Sequence, residues 1–190
     1  VLTLAALAAY ERFPRGATNK VEGQGDVLAS DLARYHDHSF TVTRVIDGDT
    51  LDIDNRDRDF SATRVRLWGI DCPETEHDRT EGMYFGREAA AFTMRTLQSR
   101  SVHLLLSPKQ TRDRHGRLLA YVLTARGGPM FNEILVEQGY AYADRRFPHH
   151  YSERFEAAEG RAKRDKLGLW GNVQPSQTPA WYRRMVLGGQ

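Results

Sequence analysis

Asp49, Arg66, the Asp71-Cys72-Pro73-Glu74 turn and Arg117 are the residues of this 190-residue chain whose types suit chemistry. Three carboxylates can gather a hard cation, and two guanidiniums can clamp a phosphate; phosphodiester cleavage needs both. Charged side chains are rarely buried unless paired, so the mixture carries meaning only if these residues converge. Each also has a plain structural reading. Asp49 sits in Asp-Gly-Asp, a common turn. Arg66 lies between Val65 and Leu67 in an apolar strand, where a solvent-facing Arg is ordinary. Pro73 biases Cys72 toward extended geometry whatever Asp71 and Glu74 do. Arg117 opens a strand after the tight Asp113-Arg114-His115-Gly116 turn, where Gly116 can take positive φ. Asp49 shares parity with Leu51 and Ile53. If those face the core, it begins on the inward side, where a carboxylate is costly without a cation or several donors. The joint occurrence of these residues at strand ends is a stronger signal than any one of them.

The elements that must position them follow from periodicity. Phe40, Val42, Val45 and Ile46 read as a strand, and Asp47-Gly48 is a hairpin signal. Thr50–Asp54 and Ala62–Gly69 continue as strands. Gly82–Leu97 has helical spacing through Phe85, Ala89, Phe92 and Thr96. Val102–Leu106 and Arg117–Thr124 are two more strands. Asn132–Gln138 reads as a short helix stopped by Gly139. Ser152–Lys166 reads as a helix with Ser152 at its N-cap, ended by Gly168. Five strands with a helix after the third predict an α+β fold, a five-stranded OB-fold β-barrel with three packed helices. Residues 11–38 read as a connector holding at most a short helix over Val27–Tyr35, and Trp181–Leu187 fits a last helix. The expected division is an N-terminal extension over 1–38, one domain over 39–171 and a C-terminal extension over 172–190.

Composition bounds the rest. A net charge of +2 is too mild to diagnose a nucleic-acid binder. The runs Arg112-Arg114-Arg117 and Arg145-Arg146 fit either a solvated face or an anion site. The single cysteine, Cys72, excludes an internal disulfide and a cysteine-built zinc site. The seven histidines show no metalloprotease or zinc-finger spacing. Val1–Ala9 is apolar but too short to span a bilayer. It fits either the remnant of a signal or anchor, which favours a secreted, periplasmic or membrane-anchored protein, or an ordinary packed helix. Any membrane association would run through that segment.

The runs Val45-Ile46-Asp47-Gly48-Asp49-Thr50, Val65–Glu74 and Asp113–Tyr121 closely resemble the staphylococcal nuclease (thermonuclease) family. Asn132–Gly139 and Lys166–Trp170 are similar to its closing segments. The resemblance covers about residues 39–171 and implies the OB-fold barrel and a Ca²⁺-dependent endonuclease acting on DNA and RNA. By it, Asp49 and Asp71 hold Ca²⁺ through carboxylates and Cys72 through its backbone carbonyl, where Thr is frequent in the family. Glu74 orients or deprotonates the attacking water, and Arg66 and Arg117 bind the phosphate. Asp113 and His115 are further candidate substrate contacts. The family's base-stacking tyrosines do not align cleanly; Tyr142 and Phe147 are the candidates. Contacts to phosphate and stacked bases imply little sequence specificity and a preference for single strands. The rival is a non-catalytic OB-fold nucleic-acid-binding module. In degenerate modules of that kind the acidic and Arg positions are typically lost, whereas all five stand here.

Overall fold

The computed structural model describes residues 24–75, 82–186 and 188. Val1–Ala9, with the localisation expectation it carries, lies outside them. Along the chain come α1 (Gln24–Tyr35), β1 (His38–Val45), β2 (Thr50–Ile53), β3 (Thr63–Leu67), β4 (Ile70–Asp71), α2 (Gly86–Leu97), β5 (Ser101–Leu105), β6 (Leu118–Leu123), α3 (Phe131–Glu137), β7 (Tyr142–Ala143), α4 (Ser152–Arg164) and α5 (Ala180–Met185). The five long strands close a barrel in the order β1-β2-β3-β6-β5. This is the expected α+β OB-fold architecture, and α2, α3 and α4 are its three expected helices. Among the described residues no helix is long and apolar enough to cross a membrane.

The barrel closes because apolar residues recur at period two. In β3, Thr63, Val65 and Leu67 are buried while Arg64 and Arg66 alternate outward. Leu51, Ile53, Val65, Leu67, Leu104, Leu118, Ala120 and Val122 fill the interior with no exposed surface. Closure leaves none of the five strands as a free edge. The β3–β6 pair is parallel, Val65 beside Leu118 and Arg66 beside Leu119, so Arg117, just before β6, stands level with Arg64, one alternate position before Arg66 on the neighbouring strand.

Three features bind the mouth of the barrel to what surrounds it. Ala89 and Leu97 of α2 are buried against the core, and Thr93 Oγ1 donates to the Gly48 carbonyl at 2.7 Å. Buried Asn132 of α3 donates to the Trp68 carbonyl at 2.9 Å and accepts the Val122 amide at 2.8 Å, locking the ends of β3 and β6 together. The segment read as a connector ends in a packed helix. Tyr35 is fully buried, and Asp31 accepts bonds from Arg112 Nε at 2.8 Å and Nη2 at 2.7 Å, tying α1 to the loop that leads to Arg117.

Two local expectations differ. Ser152 is the first helical residue of α4, and Tyr151 is the N-cap without a side-chain cap bond. The Ser152 hydroxyl instead donates to the His149 carbonyl at 2.8 Å, closing the preceding turn. The short antiparallel ribbon of β4 and β7 was not expected, because two residues hold no readable period.

Candidate active site

The Asp47-Gly48-Asp49 turn, the Asp71–Glu74 turn and the start of β6 meet at one end of the barrel. Asp49 is 1% exposed. It follows the inward parity of Leu51 and Ile53, and its carbonyl accepts the Leu67 amide at 2.8 Å, prolonging the β2–β3 ladder. Its carboxylate is surrounded by donors. Oδ2 accepts the Cys72 amide at 2.6 Å, Oδ1 accepts the Thr50 hydroxyl at 3.2 Å, and Arg66 Nη1 closes an ion pair on Oδ1. The cost of burying this charge is met by these partners.

Arg66 settles what parity left open, because it spans both acidic segments. From β3 its guanidinium reaches Asp49 through Nη1. Nη2 reaches Asp71 Oδ1 at 2.7 Å and the Ile70 carbonyl at 3.1 Å. Asp71 is placed by β4, which pairs it with Tyr142 of β7. Its other oxygen, Oδ2, accepts the indole N–H of Trp181 at 2.7 Å. Arg146 Nη2 lies 3.2 Å from Oδ1 and is held in place by Asp144 at 2.8 and 2.9 Å.

Cys72 sits at the centre of these charges. Its side chain fills the space left by the absent side chain of Gly48. A Cβ built on Gly48 would stand 2.7 Å from both Cys72 Cβ and Sγ, so only glycine permits this approach. Burial pushes the thiol well above its ordinary pKa; Arg66 opposes that shift, while Asp47, Asp71 and Glu74 add to it. Asp47 accepts the Asp49 amide at 2.9 Å. Burial raises its carboxyl above the usual range, while Arg66 and Arg117 both pull it back. Both guanidiniums thus act on the charge of this turn.

Glu74 is exposed on the outer side of the cluster and lines a shallow cleft with Thr75, Gly82, Met83, Arg87 and Glu88. Its backbone is fixed against α2. The Glu74 carbonyl accepts the Met83 amide at 2.9 Å, and a Cβ on Gly86 would stand 2.2 Å from that carbonyl oxygen. Arg117 is held by Asp113, whose Oδ2 accepts Arg117 Nε at 2.7 Å and whose Oδ1 accepts the Arg117 and His115 amides at 3.0 and 2.8 Å.

Asp113, expected as a substrate contact, is thus spent on its own loop and aims Arg117. His115 is exposed and accepts from Arg114 Nε at 3.0 Å. Tyr142, expected to stack on a base, is fully buried. Trp170, Trp181 and Tyr182 pack on its ring at centroid distances of 5.3, 6.4 and 4.8 Å, so the ring offers no face to a ligand. Phe147 is 60% exposed, with the Arg146 guanidinium 5.9 Å from its ring centre. Sequence reasoning missed Asp47, taken as turn chemistry, and Arg146 and Trp181. The Arg145-Arg146 run and a tryptophan in the C-terminal segment were the signals available for the last two.

The donor set suits a hard cation. Among the described residues no three His, Cys, Asp or Glu side chains come together as a metal group. Two carboxylates do converge on one cationic group, Arg66, with the Cys72 backbone beside them. These are oxygen donors, as calcium prefers.

A family model described as Staphylococcal nuclease homologue matches residues 64–172. The chain belongs to this family. It is 38% identical over 149 residues to the thermonuclease of Staphylococcus hyicus, covering 78% of this chain and 85% of that protein. It is 38% identical over 133 residues to the thermonuclease of Staphylococcus intermedius, covering 70% of this chain and 76% of that one. It is also 32% identical over 142 residues to Endonuclease YhcR of Bacillus subtilis, covering 70% of this chain and 11% of that much longer protein.

Proposed function

We propose that this chain is a calcium-dependent nuclease that hydrolyses phosphodiester bonds in DNA and RNA with little sequence specificity, single strands preferred. The observation that carries the reading is Arg66 bridging Asp49 and Asp71 at the barrel end where Arg117 also acts. Membership of a family whose relatives are named thermonuclease and endonuclease supports it. Asp49, Asp71 and the Cys72 carbonyl would hold the calcium ion, which supplies Lewis acidity and a template for the phosphate.

The chain's own residues do the rest. Attack by water on phosphorus adds negative charge to the nonbridging oxygens. Arg66 and Arg117 donate charge-assisted hydrogen bonds to those oxygens, and their forks match the geometry of a phosphate. Arg117 is pre-aimed by Asp113, so little reorganisation is needed there as charge develops, while Arg66 would exchange its carboxylate partners for the phosphate once a cation holds Asp49 and Asp71. The Glu74 carboxylate takes the proton of the attacking water or fixes its direction, help worth roughly 10²–10⁴-fold. The phosphorus–oxygen ester bond breaks and the leaving oxygen gains a proton. Exposed Phe147 with Arg146 beside it offers a stacking face to a base, which a duplex would have to unstack to use.

The test is digestion of labelled single-stranded DNA, single-stranded RNA and duplex DNA with calcium or with excess chelator. Shortening only with calcium, fastest on single strands, is the expected result. A mobility shift without cleavage would make the protein a binding module instead.

A further inference from the structure

Helix α5 lies beyond the residues that the family model matches, yet its first turn is built into the site. Trp181 is nearly buried, and its indole N–H donates to Asp71 Oδ2 at 2.7 Å. Its ring carries the Arg146 guanidinium 4.7 Å from the centroid, and Arg146 faces the other oxygen, Oδ1, at 3.2 Å. One side chain therefore holds one Asp71 oxygen directly and supports the cation at the other. The ring is wedged between Tyr142 and Tyr182, both in edge-to-face contact with it. An indole has a single donor and no acceptor, so it can satisfy Oδ2 and nothing else at the site. A carboxylate free to turn about its last torsion can present either oxygen. With Oδ2 tied to Trp181, Oδ1 is the oxygen turned to Arg66, whose other nitrogen holds Asp49.

We propose that Trp181 is a positioning residue of the nuclease site: its N–H fixes the Asp71 carboxylate with Oδ1 toward the cation position, making the C-terminal helix a working part of that site. The proposal rests on the calcium reading above. Partners of this kind orient ligand carboxylates, and losing one costs about 10–100-fold in metal affinity or activity.

Trp170 provides the control. It packs in the same aromatic cluster, against Tyr142 and Tyr182, but its buried Nε1 makes no hydrogen bond among the described residues. Trp181→Phe and Trp170→Phe thus remove similar volume from one cluster, and only the first removes a bond to Asp71. Calcium titration calorimetry of the full chain without nucleic acid reads the effect apart from turnover. Trp181→Phe is expected to weaken calcium binding about tenfold or more, with a cleavage deficit that higher calcium largely restores. Trp170→Phe is expected to bind calcium as the wild type does. On the wild type alone, the indole proton missing from the Trp181→Phe spectrum should exchange slowly with deuterium, and its resonance should move in Asp71→Ala. Equal calcium affinity in the two Trp variants, or an indole proton indifferent to Asp71→Ala, would overturn the proposal while leaving a calcium-dependent wild-type nuclease intact. A wild-type protein that neither binds calcium nor cuts would defeat the proposal and the underlying reading together.

Discussion

Replacing Arg66 with methionine is the most direct probe of the charge arrangement, since it keeps the unbranched stem in β3 and removes the guanidinium. The two carboxylates it bridges, one of them 1% exposed, would then face each other with reduced compensation. Breaking a buried ion pair from one side costs roughly 3–5 kcal/mol. Here the lower end applies, about 3 kcal/mol by the same rule, because Asp49 keeps the Cys72 amide and the Thr50 hydroxyl while Asp71 keeps Arg146 and Trp181. For a chain of this size that corresponds to a fall of about 6–12 °C in Tm, leaving the domain folded at room temperature. The sign of the calcium response separates this account from a generic packing defect. In wild type, guanidinium and divalent cation would compete for the same oxygens. In Arg66→Met the ion has the pair to itself, so calcium should raise the Tm of the variant more than that of wild type, by up to about 2.7 kcal/mol of stabilisation at a hundredfold excess over Kd. Cleavage should be lost at every calcium concentration. Scanning calorimetry with and without calcium reads both quantities. A variant that melts with wild type and gains no more from calcium would show that Asp49 and Asp71 do not share a cation position, and the site would have to be redrawn.

Arg117→Ala should behave differently. Its pair with Asp113 is partly exposed, 26% and 16% at the two side chains, and joins residues four apart, so its loss costs about 1 kcal/mol, while the cleavage rate should drop about 10²–10³-fold in steady-state assays. Tyr142→Phe removes a buried hydroxyl that has no partner among the described residues, so melting should stay level or rise and cleavage should not change. Phe147→Ala should weaken single-strand binding by about 1–3 kcal/mol in a fluorescence titration; the reverse ranking of these two variants would restore Tyr142 as the stacking residue. His149 is packed among Trp68, Tyr121 and Phe155, and burial lowers its pKa from 6.5. The unfolded chain therefore binds the extra proton more readily, and stability should fall as pH drops from 6.5 through the folded-state value. Urea denaturation across that range should show the slope in wild type and lose it in His149→Asn.

What was legible in the sequence follows from what a local pattern can hold. Val65 and Leu67 alternating with Arg64 and Arg66 mark a strand, and helical spacing marks α2, because both periods are written within a few residues; the buried face of α2, Ala89, Thr93 and Leu97, shares only Ala89 with the stripe read from Phe85, Ala89, Phe92 and Thr96. Element ends moved by up to four residues where caps failed to act as their residue types suggested, as at Ser152. Asp49 could be placed inward from parity alone. The meeting of Arg66 with Asp71 could not, since Gly69, with φ near +80°, turns the chain between them and β7 fixes the outcome from far along the sequence. Tyr142 was misjudged for the same reason: what covers it is α5, and nothing near Tyr142 records that contact. Asp113 carries no local mark that distinguishes a residue aiming Arg117 from one touching substrate.

The parallel pairing of β3 with β6 has a bearing on how catalytic competence is acquired. Arg117 comes level with Arg64 on the neighbouring strand only once β6 has docked between β3 and β5, which makes β6 the stave that completes the cylinder. Contacts so distant in sequence carry a large loop-closure cost before they return anything. A growing or refolding chain with only its first hairpin formed would hold the acidic turn but not yet the strand that carries Arg117.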